Sequence, residues 1–232
     1  GGSVTSINKR GHSIFPGVHG FERSVDLLGK VPVVSAVLGT AAGGPAGRAI
    51  LSHWSVMVDG TSHVFAAGPP VVERSLGQKI SKEDLGGPPI AVDHAGTIDN
   101  RVDSEEACFA QIRRFLSYMP SNVWELPPAV ESNDSVDRCD EELLPIVPRD
   151  RRKPYNMRKL IEHIVDRGSI FEIQPTFGKA LITVLARMNG KVVGVVANNP
   201  MVYGGAMDVK AARKQIHFVE MCDCFHIPLI FL

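Results

Sequence analysis

The sequence predicts an α/β fold, because runs typical of buried strands alternate with runs typical of amphipathic helices. Residues 31–38 (VPVVSAVL) are apolar and rich in β-branched side chains, as expected of a strand in a parallel sheet. Residues 103–119 repeat their apolar side chains at helical spacing. Asn189-Gly190 separates two further apolar runs, which is the pattern of a β-hairpin.

The first half of the chain is predicted to alternate helices and strands around a run of small residues, 39–47. Asp103 is the predicted cap of the clearest helix, with Glu106 three residues later. The predicted elements are a helix at 21–28, the strand 31–38, a short helix at 48–54, strands at 55–58 and 62–67, and the helix 103–119. The predicted apolar face of the last helix comprises Cys108, Ile112, Phe115, Leu116 and Met119.

A stretch rich in proline and charge, 125–154, divides the chain. It shows little periodicity, as expected of an inter-domain linker; one long surface loop within a single domain is less common at this length. We therefore predict part of an N-terminal domain at 1–124, a linker at 125–154 and the start of a second domain at 155–232. The chain begins without Met and ends in a strand-like run, so both domains are expected to be partial.

The second half is predicted to contain two capped helices on either side of the hairpin. Asn156 and Asp208 are the predicted cap residues, and the second helix is expected to run to about Phe225. The apolar face of the first helix comprises Met157, Leu160, Ile161, Ile164 and Val165. The inward face of the second comprises Val209, Ala212, Ile216, Val219 and Cys222.

Charge and composition argue against several classes of protein. Lys plus Arg and Asp plus Glu each number 25, and this balance argues against a nucleic-acid partner or an anionic membrane, which favour basic faces. No apolar run approaches the length of a membrane span. The four cysteines lack the spacing of a secreted disulfide framework, and we predict buried thiols at Cys108, Cys222 and Cys224. No second pair accompanies Cys222 and Cys224 at zinc-ligand spacing, so no metal is predicted.

A helix-then-strand unit occurs twice in the chain. The strand start VPVV at 31–34 is similar to IPLI at 227–230, an offset of 196 residues, and a helix pattern precedes each. The repetition suggests a duplicated domain, although helix–strand units with a proline also arise by chance.

The doublet Gly43-Gly44, flanked by Ala42 and Pro45, is the candidate site for chemistry. Glycine lets a ligand approach the backbone, and unpaired N–H groups at a helix start carry partial positive charge. Such donors could hold an oxyanion, each typically lowering the barrier by ~3 kcal/mol. The alternative is a tight strand–helix turn selected for packing, and local sequence alone favours that alternative.

Other catalytic and phosphate-binding patterns are weak or missing. The GxxxxGK[ST], GxGxxG and GxSxG patterns are absent. His53 and His63 lie near several serines, but no spacing requires a nucleophile–base pair, and we interpret both as structural. His12 and His19 lack a supporting carboxylate cluster, so they do not indicate a metal site.

Taken together, the motifs resemble one family. The stretch GTAAGGPAGRAIL at 39–51 is similar to the oxyanion loop, GxxAGGxxxxxA, of the carboxyltransferase (beta) subunit of biotin-dependent acyl-CoA carboxylases, the acetyl-, propionyl- and methylcrotonyl-CoA carboxylase family. The similarity continues in the same order through most of the chain, at 56–72, 83–87, 144–200 and 218–232. This coverage favours the oxyanion interpretation of Gly43-Gly44 over the packing turn.

The resemblance implies a crotonase-like (ClpP/crotonase) fold in two related domains, both partial here. It implies that the Gly43 and Gly44 N–H groups hold a thioester enolate, and that a second site, for the biotin ureido carbonyl, lies beyond Leu232. Gly1-Gly2 resembles the start of the family's GGARxxEG stretch near coenzyme A, although Val4 replaces its Arg. The predicted substrate contacts are Gly1, Gly2, Ala42 and Pro45.

The resemblance also implies the activity and its partners. The substrate would be an acyl-CoA, and biotin would be carried by a partner protein or domain and loaded by a biotin carboxylase. A hexamer, no metal, and a bacterial cytoplasmic or mitochondrial matrix location are expected. A decarboxylase running the transfer in reverse, or a non-catalytic assembly module, are the alternatives. Lys9, Arg10 and Arg48 are interpreted as solvated surface charges rather than phosphate contacts.

Overall fold

The computed structural model describes residues 8–11, 19–150 and 152–232, apart from the side chain of His19. In the first half, β1, β3 and β5 form a parallel sheet in that order, and β2 pairs with β4, also in parallel. The elements are α1 (His19–Leu28), β1 (Val34–Val37), β2 (Thr40–Ala42), α2 (Gly44–Ile50), β3 (Trp54–Val58), β4 (His63–Phe65), α3 (Pro69–Leu76), α4 (Lys82–Gly86), a π-helix (Pro89–His94), β5 (Asn100–Val102) and α5 (Glu105–Leu116).

The short helix in this half begins earlier than predicted. The sequence places it at 48–54, whereas α2 begins at Gly44 and ends at Ile50. Pro45 in the first turn suits a helix start, because its fixed φ is helical and its missing N–H would have no partner there. Trp54 instead opens β3 and is fully buried. The helix therefore starts at the glycine doublet itself.

Helix α5 confirms a predicted helix but corrects its cap. The Ser104 hydroxyl, not Asp103, accepts the Ala107 N–H at 3.2 Å. Cys108, Phe115 and Met119 are buried as predicted, whereas Leu116 is 42% exposed.

The second half is built on the predicted hairpin. Strands β7 and β8 pair antiparallel about Asn189-Gly190, with β6 and β9 on either side and β9 parallel to β8. The Asn156 and Asp208 side chains cap their helices as predicted. The elements are α6 (Leu143–Ile146), α7 (Met157–Ile164), β6 (Phe171–Ile173), β7 (Leu181–Met188), β8 (Lys191–Asn198), a 3-10 helix (Tyr203–Gly205), α8 (Val209–Cys224) and β9 (Leu229–Phe231).

The buried face of α8 differs from the predicted one. Val209 is 71% exposed and Ile216 is 57% exposed, while Lys214 is only 1% exposed. The Lys214 ammonium donates to three main-chain carbonyls, at 2.8, 3.2 and 2.8 Å, those of Gln174, Phe177 and Leu181. The buried face of the helix is therefore rotated relative to the prediction. Sequence patterns place lysine on the surface, but here three buried carbonyls accept hydrogen bonds from the Lys214 ammonium and so allow it to be buried.

The stretch 125–154 contacts the second half of the chain. The Val130 N–H donates to the Gly190 carbonyl at 3.1 Å. The Arg138 guanidinium donates to the main-chain carbonyls of His163 and Val165, at 3.1 and 2.7 Å. The stretch is thereby tied to α7 and to the hairpin turn, and the domain boundaries remain a prediction.

An aromatic cluster joins the two halves. Trp54 stacks on Phe115 with ring centres 5.1 Å apart, and Phe171 of β6 meets Trp54 edge-on at 5.4 Å. The helices of the two repeated helix-then-strand units, α1 and α8, meet at their C-terminal ends, where the Cys224 thiol donates to the Leu28 carbonyl at 3.5 Å. The strand that follows each helix, β1 or β9, runs parallel to its neighbouring strand. No helix of the described part of the chain has the length and apolar character needed to cross a membrane.

An ion pair between a buried carboxylate and a half-buried histidine also links the two halves. Asp99 is buried, and one carboxylate oxygen accepts the main-chain N–H and the hydroxyl of Ser55 at 2.8 and 3.0 Å. The other oxygen lies 3.0 Å from Nε2 of His217 on α8. Burial lowers the pKa of His217, but the attraction of Asp99 and then of Glu220 outweighs it, so the pKa is raised above 6.5.

Replacing His217→Gln is expected to make stability less dependent on pH. Because the folded state holds this proton more tightly than the unfolded state, the stabilisation is complete below pH 6.5 and is lost as pH rises through the raised pKa. We expect the substitution to lower the free energy of unfolding by roughly 1 kcal/mol at pH 6 and by less at pH 9. Urea unfolding of the full-length protein at both pH values measures the difference, with exposed His94→Gln as the control. An equal loss at both pH values would rule out the ion pair as the cause.

Candidate active site

Gly43 shapes the turn from β2 into α2. Its backbone has φ 63° and ψ −123°, a left-handed conformation that favours glycine. Its N–H donates to the Phe65 carbonyl at 3.1 Å, which continues the pairing of β2 with β4. Its carbonyl accepts the Gly47 N–H at 3.1 Å and so starts the helix.

This geometry corrects the predicted donor set in one respect. The sequence assigns the oxyanion to the N–H groups of Gly43 and Gly44, but the Gly43 N–H is already bonded within the fold. Pro45 has no N–H, and among the described residues the N–H groups of Gly44 and Ala46 have no hydrogen-bond partner. The free donors of the first turn are therefore those of Gly44, which is exposed, and Ala46, which is buried.

An open cleft lies beside the doublet, between β1 and α2. Its volume is about 650 Å³, and Gly44 and Pro45 line it together with small residues such as Ser35 and Ala41. Ala42 is exposed next to this cleft but does not line it. The predicted substrate contacts Gly1 and Gly2 lie outside the described residues, as does Val4.

The two histidines near the doublet are bonded within the fold. The ring of His53 accepts the Val33 N–H at 3.0 Å through Nδ1 and donates to the Leu28 carbonyl at 2.9 Å through Nε2. Burial lowers its pKa, which keeps the ring neutral, so its structural interpretation is confirmed. His63 lies 3.3 Å from the Thr40 hydroxyl and 3.4 Å from Glu83. No serine hydroxyl bonds to either ring within the described ranges.

Two of the three thiols predicted to be buried are so. Cys108 and Cys222 are buried, whereas the prediction is wrong for Cys224, which is only half-buried. Burial raises the pKa of Cys222 to about 12, so this thiol stays protonated at neutral pH and is a poor metal ligand. In the part of the chain that the structure describes, no three His, Cys, Asp or Glu side chains come together as a metal site would require.

Two side chains near the doublet were not predicted as site residues. Arg48 and Phe21 both line the cleft, and the guanidinium carbon lies 5.3 Å from the ring centre of Phe21. The two residues come from different helices, α1 and α2, so only the fold brings them together.

The fold and the glycine doublet define a crotonase-fold carboxyltransferase. The structure of transcarboxylase 12S, described as a hexamer with hydrolysed methylmalonyl-coenzyme A bound, matches this chain with a TM-score of 0.87 and 34% identity. The match covers 91% of this chain and 42% of that one. A single-chain, multi-domain long-chain acyl-CoA carboxylase matches with a TM-score of 0.76 and 26% identity, over 94% of this chain and 22% of that one.

The chain belongs to the carboxyl transferase domain family, which matches residues 7–232. It is 37% identical to the carboxyltransferase subunit of propionyl-CoA carboxylase from Haloferax mediterranei, and 38% identical to the alpha subunit of methylmalonyl-CoA decarboxylase from Propionigenium modestum. Each comparison covers 90% of this chain and 41% of the relative. The chain thus spans about two fifths of the length of these enzymes, and the family that its combined motifs resemble is confirmed.

Proposed function

We propose that the full-length protein is the carboxyltransferase component of a biotin-dependent acyl-CoA carboxylase. It moves a carboxyl group from carboxybiotin to the α-carbon of an acyl-CoA. The supporting observation is the N–H of exposed Gly44, which lines an open cleft and has no hydrogen-bond partner in the described ranges. The match of this chain to transcarboxylase 12S, which covers 91% of its length, supports the same proposal.

The residues of this chain would act on the thioester. Removing the α-proton places negative charge on the thioester oxygen, and the N–H of Gly44, which lines the cleft, can donate to that oxygen. Gly43 contributes by fixing the turn that aims this donor, since its own N–H is bonded to Phe65. Biotin, when bound, would supply the carboxyl group and the base.

The proposal extends to partners and location. A biotin carboxyl carrier and a biotin carboxylase would supply the carboxylated cofactor, and a hexamer is proposed because transcarboxylase 12S assembles as one. A bacterial cytoplasmic or mitochondrial matrix location is proposed, since the relatives include both bacterial proteins and a human mitochondrial propionyl-CoA carboxylase beta chain, 36% identical.

A decarboxylase is the second candidate. The chain is 38% identical to a methylmalonyl-CoA decarboxylase subunit and 37% identical to a propionyl-CoA carboxylase subunit, a difference too small to favour either activity. The Gly44 N–H would serve both directions of the reaction, because both pass through the same thioester enolate.

The test is transfer from a carboxylated thioester to free biotin. We expect the full-length protein to release acyl-CoA from malonyl-CoA or methylmalonyl-CoA only when biotin is added. Chromatography of the thioesters measures the release. Sodium dependence and a requirement for a membrane partner would favour the decarboxylase, and no biotin-dependent release would favour an assembly module.

A further inference from the structure

Arg48 is an exposed cation that lines the open cleft beside the glycine doublet. It lies on α2, four residues after Gly44, and its side chain lines the same cleft. Its guanidinium lies over the Phe21 ring, 5.3 Å from the ring centre, and this cation–π contact favours a side-chain position at the cleft lining that both residues share. The Ser35 hydroxyl, from β1, donates to the Arg48 carbonyl at 3.4 Å and ties the same residue to the opposite wall.

The charge of Arg48 is not neutralised within the described part of the chain. No carboxylate there forms an ion pair with it, whereas Arg101, Arg138 and Arg158 each pair with an acid. The cleft lining contains no Asp or Glu and is otherwise apolar or small, so an anion entering it would meet a cation and no acid.

We infer that Arg48 binds a carboxylate on the acyl part of the thioester, so that the cleft prefers the carboxylated acyl-CoA over the uncarboxylated one. The inference rests on the proposed function, and it assigns to Arg48 the carboxylate that the reaction adds or removes. In the carboxylation direction this group is on the product, and in the decarboxylation direction it is on the substrate.

Distance favours a carboxylate over a coenzyme A phosphate. Positions 44 and 48 are about 6 Å apart along a helix axis. A thioester oxygen at the Gly44 N–H therefore places groups on the acyl carbons within reach of the Arg48 side chain. The coenzyme A phosphates are separated from the sulfur by the whole pantetheine arm. A guanidinium also donates two parallel hydrogen bonds that match a carboxylate.

The test compares binding of matched thioesters to the full-length protein without biotin, so that no transfer occurs. The probes are malonyl-CoA against acetyl-CoA, and methylmalonyl-CoA against propionyl-CoA, with Kd measured by calorimetry. Arg48→Met is expected to weaken binding of the carboxylated member of each pair about tenfold, as for a lost charged hydrogen bond. Binding of the uncarboxylated member should change less than twofold. Arg48→Lys keeps the charge but not the planar fork, and should recover part of the loss.

The matched control is Arg74→Met, an exposed arginine that also lies in the last turn of its helix but not in the cleft. It should change no Kd. Equal weakening of both thioesters by Arg48→Met would indicate a phosphate contact and overturn the inference, as would no weakening. If the wild type shows Arg48-dependent binding but no biotin-dependent transfer, the proposed function fails and this inference stands. If transfer occurs and Arg48→Met binds normally, only this inference fails.

Discussion

Gly44→Pro is expected to lower carboxyl transfer by the full-length protein by about 100-fold or more, which is the usual effect of losing one oxyanion donor. Proline removes the Gly44 N–H, which has no hydrogen-bond partner among the residues that the structure describes, whereas the Gly43 N–H is bonded to Phe65. The loss should appear in kcat as well as in kcat/KM, because the hydrogen bond strengthens only as charge develops on the thioester oxygen. Steady-state kinetics of biotin-dependent release from malonyl-CoA measures both constants.

The fold should tolerate this proline. Gly44 is the first residue of α2, where proline is favoured, and α3 of the same chain already begins with Gly68-Pro69-Pro70. Gly44→Ala is the matched control, since alanine keeps the N–H and its added carbon would lie 3.9 Å from the Phe21 ring, an ordinary contact. Transfer by the proline variant at the rate of the alanine variant would show that this N–H is not an oxyanion donor.

Lys214→Met is expected to lower the free energy of unfolding by about 3 kcal/mol or more, because it leaves three inward carbonyls without a donor. Methionine has a similar length, so the loss reflects hydrogen bonds rather than a cavity. Urea unfolding of the full-length protein measures it. Lys159→Met, at an exposed position on α7, is the control and should change stability by less than about 0.5 kcal/mol.

The same lysine gives a pH dependence of known sign. Burial lowers the pKa of Lys214 to about 8, so it remains charged at neutral pH. Between pH 8 and 10.5 the unfolded state binds more protons than the folded state, so the cost of burying the ammonium falls as pH rises. The wild type should therefore gain stability over Lys214→Met by up to about 3 kcal/mol from pH 8 to pH 10. A constant difference across this range would contradict the lowered pKa.

Much of the local structure could be predicted because it depends on neighbouring residues. The caps at Asn156 and Asp208 bond to N–H groups two or three residues away, and Asn189-Gly190 sets its own hairpin turn. The prediction that Gly43-Gly44 is an oxyanion site depends on the resemblance to known carboxyltransferase loops, because the local pattern alone favoured a packing turn. The start of α2 was predicted four residues late, because a run of small residues has no periodicity that a helix pattern can use.

The sequence by itself determined the α/β class and the family, since these depend on residue order and short-range geometry, and it singled out Gly43-Gly44 as the doublet that we propose holds a thioester oxygen. Only the tertiary structure decided which N–H groups remain free, because the Gly43 donor is taken by Phe65 on a different strand. It also decided that Lys214 faces inward and that Arg48 lies over Phe21 in the cleft. Each of these depends on partners distant in the chain, and the free energy of burying a polar group is fixed by such partners rather than by its neighbours.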